Sequence, residues 1–260
     1  MDNTKLKFRL GDKVQTLQET QEMGVVAATA KLSLAPVDSS YIALNHNALD
    51  IIRENLKSQP MTYDLFDVVK SPSGGSTVFT VPGLAGDEAE KELVGIILDY
   101  TTPRAYWTSA DPVEGTPPDC MSADSIVSHD GKPCAMCPFN DFGSKDGDSN
   151  AKACKESVLL LLLRPNSIMP LLVRVPVTSK PRFLKYMARL VGMLTPISGV
   201  VTKIALEKAT SKGGKPYALF NFNAVNVLSP EETALAREFS RRFTEMVNLD
   251  AIAPEMAEAN

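Results

Sequence analysis

Four cysteines, Cys120, Cys134, Cys137 and Cys154, fall within one stretch of a 260-residue chain, spaced C-x13-C-x2-C-x16-C. The surrounding segment, residues 103–155, is dominated by Pro, Gly, Asp and Ser and carries no long apolar periodicity. A loop of about 50 residues without structure of its own is improbable inside a compact domain. Something other than a hydrophobic core must therefore order it. A C-x2-C pair lets two thiolates on one tight knuckle hold a single ion, and two distant thiolates complete a tetrahedron. Lys132-Pro133 before the pair and Pro138 after it shape such a knuckle. Metal binding would then supply the folding energy that apolar burial does not. Zn2+ is the expected ion, and four thiolates leave it no open position, so the role is structural. An iron–sulfur cluster also takes four cysteines, and buried or redox-active thiols remain a further reading. His129, in the same segment, is a substitute ligand to weigh against a solvated loop histidine.

The rest of the chain reads as alternating elements. Ser39 and Ser40 are caps for a helix over residues 41–57, with Ile42, Leu49, Ile52 and Leu56 as its apolar stripe. Strands are expected at Thr77–Val81, Leu93–Tyr100, Val158–Leu163, Leu171–Val175, Val200–Lys208 and Tyr217–Val225. Ser211-Lys212-Gly213-Gly214-Lys215 is a hairpin loop between the last two. A helix over residues 181–194 presents Phe183, Leu184, Met187, Leu190, Val191 and Leu194 inward. Arg182, Lys185, Tyr186 and Arg189 lie on its other side. Ser229-Pro230-Glu231-Glu232 has capping-box spacing and opens a C-terminal helix, followed by a mildly acidic tail, Asp250–Asn260.

Charge is distributed unevenly. The net charge is −4, yet residues 158–228 hold ten basic side chains against one acid, Glu207. A local polyanion site is the functional reading; a basic face balanced by an acidic neighbour is the structural one. Basic strands, a basic helix stripe and aromatics suit single-stranded nucleic acid, with cations on phosphates and rings on bases. The expected contacts are Arg174, Lys180, Arg182, Lys185, Arg189, Lys203 and Lys212 for phosphates, with Tyr186, Tyr217 and Trp107 for stacking. No Walker loop, G-x-S-x-G, H-E-x-x-H or dinucleotide fingerprint occurs, and there are only two histidines, His46 and His129. The chain is therefore not expected to be an enzyme. The longest aliphatic run, Val158–Leu163, is far short of the ~20 residues of a membrane span, and no leader is apparent, so a cytoplasmic protein is expected.

Several phrases in order carry a family likeness: Pro72-Ser73-Gly74-Gly75; Gly95-Ile96-Ile97 leading to Arg104-Ala105-Tyr106-Trp107; Pro118-Asp119-Cys120-Met121-Ser122; Cys134-Ala135-Met136-Cys137-Pro138-Phe139-Asn140-Asp141-Phe142-Gly143-Ser144; and Lys152-Ala153-Cys154-Lys155. Val175-Pro176-Val177-Thr178-Ser179 and Val201-Thr202 extend it. Across residues 60–225 the chain resembles a family of bacteriophages and mobile elements. It also resembles phage-type single-stranded DNA-binding proteins with an OB-fold. That resemblance implies DNA replication or recombination in a bacterial host cell, and replication partners met through the C-terminal tail. A homo-oligomer is compatible with it. The fold class expected is α+β with a mainly β core. An N-terminal arm (1–38) precedes an OB-like barrel (39–228) that carries a four-cysteine, zinc-ribbon-like knuckle as an insertion (118–155). A helix and tail (229–260) follow. The alternative function is a zinc-ribbon adaptor that binds a polymerase or host protein.

Overall fold

The computed structural model describes residues 41–247 apart from residues 46, 58, 60, 63, 64, 110–115, 146–149 and 212. The expected N-terminal arm, the caps Ser39 and Ser40, Lys212 and the tail Asp250–Asn260 lie outside the described residues.

The aliphatic run Val158–Leu163 explains the architecture. A strand that alternates core and solvent shows alternating polarity; one covered on both faces is apolar throughout. This run is the C-terminal part of strand β7 (Lys155–Leu163). Leu159, Leu161 and Leu163 enter one core, and Val158, Leu160 and Leu162 enter another on the opposite face. Flanking β7 are β8 (Leu171–Pro176) and β4 (Glu92–Thr101), both antiparallel to it. Gly95 of β4 lies so close to β7 that a Cβ there would stand 2.4 Å from the Leu163 carbonyl oxygen. Outward from β4 comes the long hairpin of β9 (Val200–Thr210) and β10 (Pro216–Val227). Its loop is closed by the Ser211 amide on the Lys215 carbonyl at 2.9 Å, with Gly214 at φ 77°. On the other side β1 (Val68–Val69) joins β8 in parallel.

The sheet order is therefore β1-β8-β7-β4-β9-β10, curled into a half-barrel. Among the described residues no pairing joins β1 to β10. Strands β2 (Phe79–Val81) and β3 (Glu88–Glu90) form a separate ribbon. The class is α+β with a mainly β core and a C-terminal helix.

Helices cover both faces. The helix expected over residues 41–57 is divided into α1 (Ile42–Asn45) and α2 (Ala48–Leu56). Both pack with α4 (Pro230–Thr244), which buries Ala236, Phe239 and Phe243 in the first core. The capping box forms: Ser229 Oγ accepts from the Glu232 amide at 3.2 Å, and the Glu232 carboxylate accepts from the Ser229 amide at 2.8 Å.

On the opposite face lies α3 (Lys180–Gly192), rotated from the orientation read in sequence. Phe183, Tyr186 and Leu190, at i, i+3 and i+7, are buried, while Leu184, Val191 and Leu194 are 48%, 67% and 94% exposed. Aromatic packing decides this. Phe183 meets Tyr100 and Phe222 edge-on at 5.0 and 5.3 Å, and Tyr186 stacks beside Phe222. The Tyr186 hydroxyl pairs with Thr202 Oγ1 at 2.7 Å, so it is buried without an unsatisfied polar atom. Among the described residues no helix is long and apolar enough to cross a membrane.

Candidate functional site

The cysteine segment hangs from the N-terminal end of β7. Strand β5 (Arg104–Tyr106) pairs with Lys155 and Glu156, and β6 (Cys120–Ser122) pairs with β5, so Cys120 faces Tyr106 across the ladder. Beyond β6 the backbone is held by local polar bonds rather than apolar burial. Asp124 accepts from the Ile126 amide at 2.7 Å and from Ser122 Oγ at 3.1 Å, which holds its carboxyl below the usual range. The Cys134 amide donates to Ile126 (2.9 Å), and the Cys137 amide donates back to Cys134 (3.3 Å), forming the knuckle. The Cys154 amide donates to the Phe139 carbonyl at 2.9 Å and so returns the fourth cysteine over it.

All four cysteines are free thiols and line one cavity of about 600 Å³. Burial pushes the Cys154 thiol up to about 11, with the nearby Arg104 charge opposing. Cys120 is raised by burial and then by Asp130. Among the described residues, one group of three or more potential ligands has its atoms within 4.8 Å of one another: Cys120, His129 and Asp130. Two of these are otherwise engaged. His129 Nδ1 accepts from the Met121 amide at 3.3 Å, which occupies that nitrogen. Asp130 pairs with Lys132 at 2.5 Å and accepts from Ser128, which brings its carboxyl down to about 2. Cys134, Cys137 and Cys154 line the same cavity, but the structure does not bring them into a ligand group that close.

A polar joint connects this cavity to the sheet. Arg104 donates to Glu156 at 2.7 Å and to Asn140, whose amide donates to the Cys134 carbonyl at 3.1 Å. Lys180, first residue of α3, reaches the other Glu156 oxygen. Lys152 donates to Asn140 at 3.0 Å.

The residues expected to bind nucleic acid separate into groups. Lys155 has Lys145 and Arg174 nearby; burial, then those two charges, pulls the Lys155 ammonium below its ordinary value. Lys155 stands 5.9 Å from the centre of the Trp107 ring, whose Nε1 donates to the Thr116 carbonyl at 2.9 Å. On the opposite side of β7, burial with Arg104 and Lys152 nearby lowers Lys180 despite its ion pair. Lys185 and Arg189 are exposed on the outer face of α3. Arg182 is held by Glu207 (2.8 Å) and Asn221, and Lys203 by Glu92 (3.1 Å). Tyr217 is half-buried on β10. Tyr186 is corrected from stacking platform to core residue: 4% exposed, its ring offers no face to a base.

Sequence reasoning missed three lysines and a ring: Lys145, Lys152, Lys155 and Phe142. Phe142 is 74% exposed, with Lys152 Nζ 4.7 Å from its centre. These lysines lie outside the basic stretch 158–228 and among acids, so their charge cancels in any count along the chain. No family model, curated protein or solved structure significantly matches the chain.

Proposed function

We propose that this protein binds single-stranded DNA without strong sequence preference, in phage or mobile-element replication or recombination, and that Cys120, Cys134, Cys137 and Cys154 hold a structural Zn2+. The observation that carries the DNA reading is the concentration of cations about the start of β7. Lys145, Lys155 and Arg174 lie on one side with Trp107, and Lys152 and Lys180 on the other; burial first, and the neighbouring cations after it, depress Lys155 and Lys180. A phosphate backbone relieves such repulsion, and the Trp107 and Phe142 rings add stacking surface. Lys185 and Arg189 extend the basic surface along α3. Lys180, Arg182 and Lys203, already paired with acids, contribute less.

Zinc is supported by four thiols on one cavity and by the prior engagement of His129 and Asp130, which favours thiolates as the ligands. A bound Zn2+ would take the four cysteine sulfurs as ligands and supply order to the segment. An OB-like core is supported only as far as the curled sheet goes; a closed barrel needs β1 and β10 joined. No chemistry on the nucleic acid is required of this site.

The test is fluorescence anisotropy of labelled oligo-dT and its duplex counterpart across a salt series, with zinc assayed on the same sample. Tight, salt-sensitive preference for the single strand is expected. Lys155→Ala with Arg174→Ala should shallow the salt dependence by roughly 0.7 per lost phosphate contact; an unchanged slope removes this surface from the interface. A second reading, an adaptor for a polymerase or host protein, is favoured by exposed apolar side chains on the cysteine segment, Ile126 at 66% and Met136 at 82%. A zinc-loaded, folded sample that fails to bind oligo-dT at low salt would decide for that reading over DNA.

A further inference from the structure

Arg104 enters the cavity wall from β5 with most of its guanidinium already committed. Its Nη atoms donate to Glu156 and Asn140, yet its Nε is buried and has no hydrogen-bond partner. A buried N–H without an acceptor is costly and calls for an explanation. Register supplies one. Arg104 lies opposite Glu156 on the β5–β7 ladder, and Cys154 stands just before the start of β7, two residues ahead of Glu156. Both Arg104 and Cys154 line the cysteine cavity.

We infer that Arg104 is a positioning residue for the metal, its Nε–H donating to the Cys154 sulfur once that sulfur is a ligand. The inference rests on the reading that the four cysteines hold a metal ion. Each thiol releases its proton to solvent as it binds, leaving a divalent ion with four thiolates that is dianionic overall. A neutral thiol is a poor acceptor, whereas a thiolate is a good one, so the orphaned donor gains its partner in the loaded state. Two cations face this charge: Arg104 beside Cys154, and Lys132 beside Cys120 and Cys137. Arg104 also touches Glu156 and Asn140, so it connects the fourth ligand to β7 and to the knuckle backbone. Such outer partners fix the orientation of a ligand and tune its donor strength.

Cobalt(II) titration of the full chain under anaerobic conditions tests this, read by the absorption of a tetrahedral thiolate site. The wild type should show that spectrum at one equivalent. Arg104→Met should weaken cobalt binding by about 10- to 100-fold and move the sulfur-to-cobalt charge-transfer band to lower energy. Arg104→Lys keeps the charge but lacks a donor at the Nε position, and it should not restore the band. Glu156→Gln separates a structural role from a positioning one, because it removes the ion pair and leaves the Nε–H in place. It should leave the band where it is. Wild-type affinity and band position in Arg104→Met, restoration by Arg104→Lys, or the same band shift in Glu156→Gln would overturn the inference while leaving the metal reading intact. A wild-type chain that gives no thiolate–cobalt spectrum would defeat the metal reading itself.

Discussion

Glu156 on β7 and Arg104 on β5 form a 2.7 Å ion pair with side chains only 10% and 11% exposed. Lys180 occupies the second carboxylate oxygen. One acid thus connects the cysteine segment, the central sheet and the start of α3. Removing one member of a buried pair leaves uncompensated charge, at a cost of about 3–5 kcal/mol. Glu156→Ala should lower unfolding stability by that order in urea denaturation. A loss under ~1 kcal/mol, the range of exposed pairs, would mean that the joint is wet.

Chelation should act locally. The cysteine segment is held by polar bonds and the proposed metal, whereas the sheet is held by two apolar cores. Metal removal should raise hydrogen exchange across residues 116–154 and leave β4, β7 and β9 protected. Equal protection in the two states would show that the segment is ordered without an ion.

Tyr186 separates a structural from a binding role. Tyr186→Phe removes the hydroxyl that pairs with Thr202 in the core, and should cost about 1 kcal/mol or somewhat more, because Thr202 is left unpaired. Oligo-dT affinity should be unchanged, since the ring is buried. A drop in DNA affinity with stability intact would return Tyr186 to the interface.

Asp99 gives a pH dependence of opposite sign to that of a paired acid. Burial raises its carboxyl above the usual value, and the hydrogen bond from the Tyr100 amide at 2.8 Å only partly opposes this. The folded state therefore holds the Asp99 proton to higher pH than the unfolded chain does. Its contribution to stability is present below the unfolded pKa of ~3.9 and is lost as pH rises through the raised folded value. Asp99→Asn should therefore stabilise the protein at neutral pH, with the gain vanishing in acid. Thermal melts at two pH values check this; a destabilised variant at neutral pH would show that the carboxylate's charge is needed.

Much of the fold was legible. Val158–Leu163, Leu171–Val175, the hairpin around Gly213-Gly214 and the Ser229 capping box each follow from local pattern, and the structure contains all four. The orientation of α3 was not legible. Leu184 and Val191 are as apolar as Leu190, and period alone cannot say which stripe meets the aromatic surface of Tyr100 and Phe222. The proposed basic surface was legible only in part. Arg174, Lys180 and Trp107 lie about β7, but Lys145, Lys152 and Lys155 join them only through the fold.

By itself the sequence determined the long strands, the Ser229 cap and a cysteine segment without an apolar core, because these depend on neighbours within a few positions. Tertiary structure decided which charges are paired and which crowd together, and which helix face is buried. Arg182 and Glu207, or Lys203 and Glu92, meet only when separate strands and helices pack. The charge field that a ligand meets depends on those distances and on burial, and neither is a property of order along the chain.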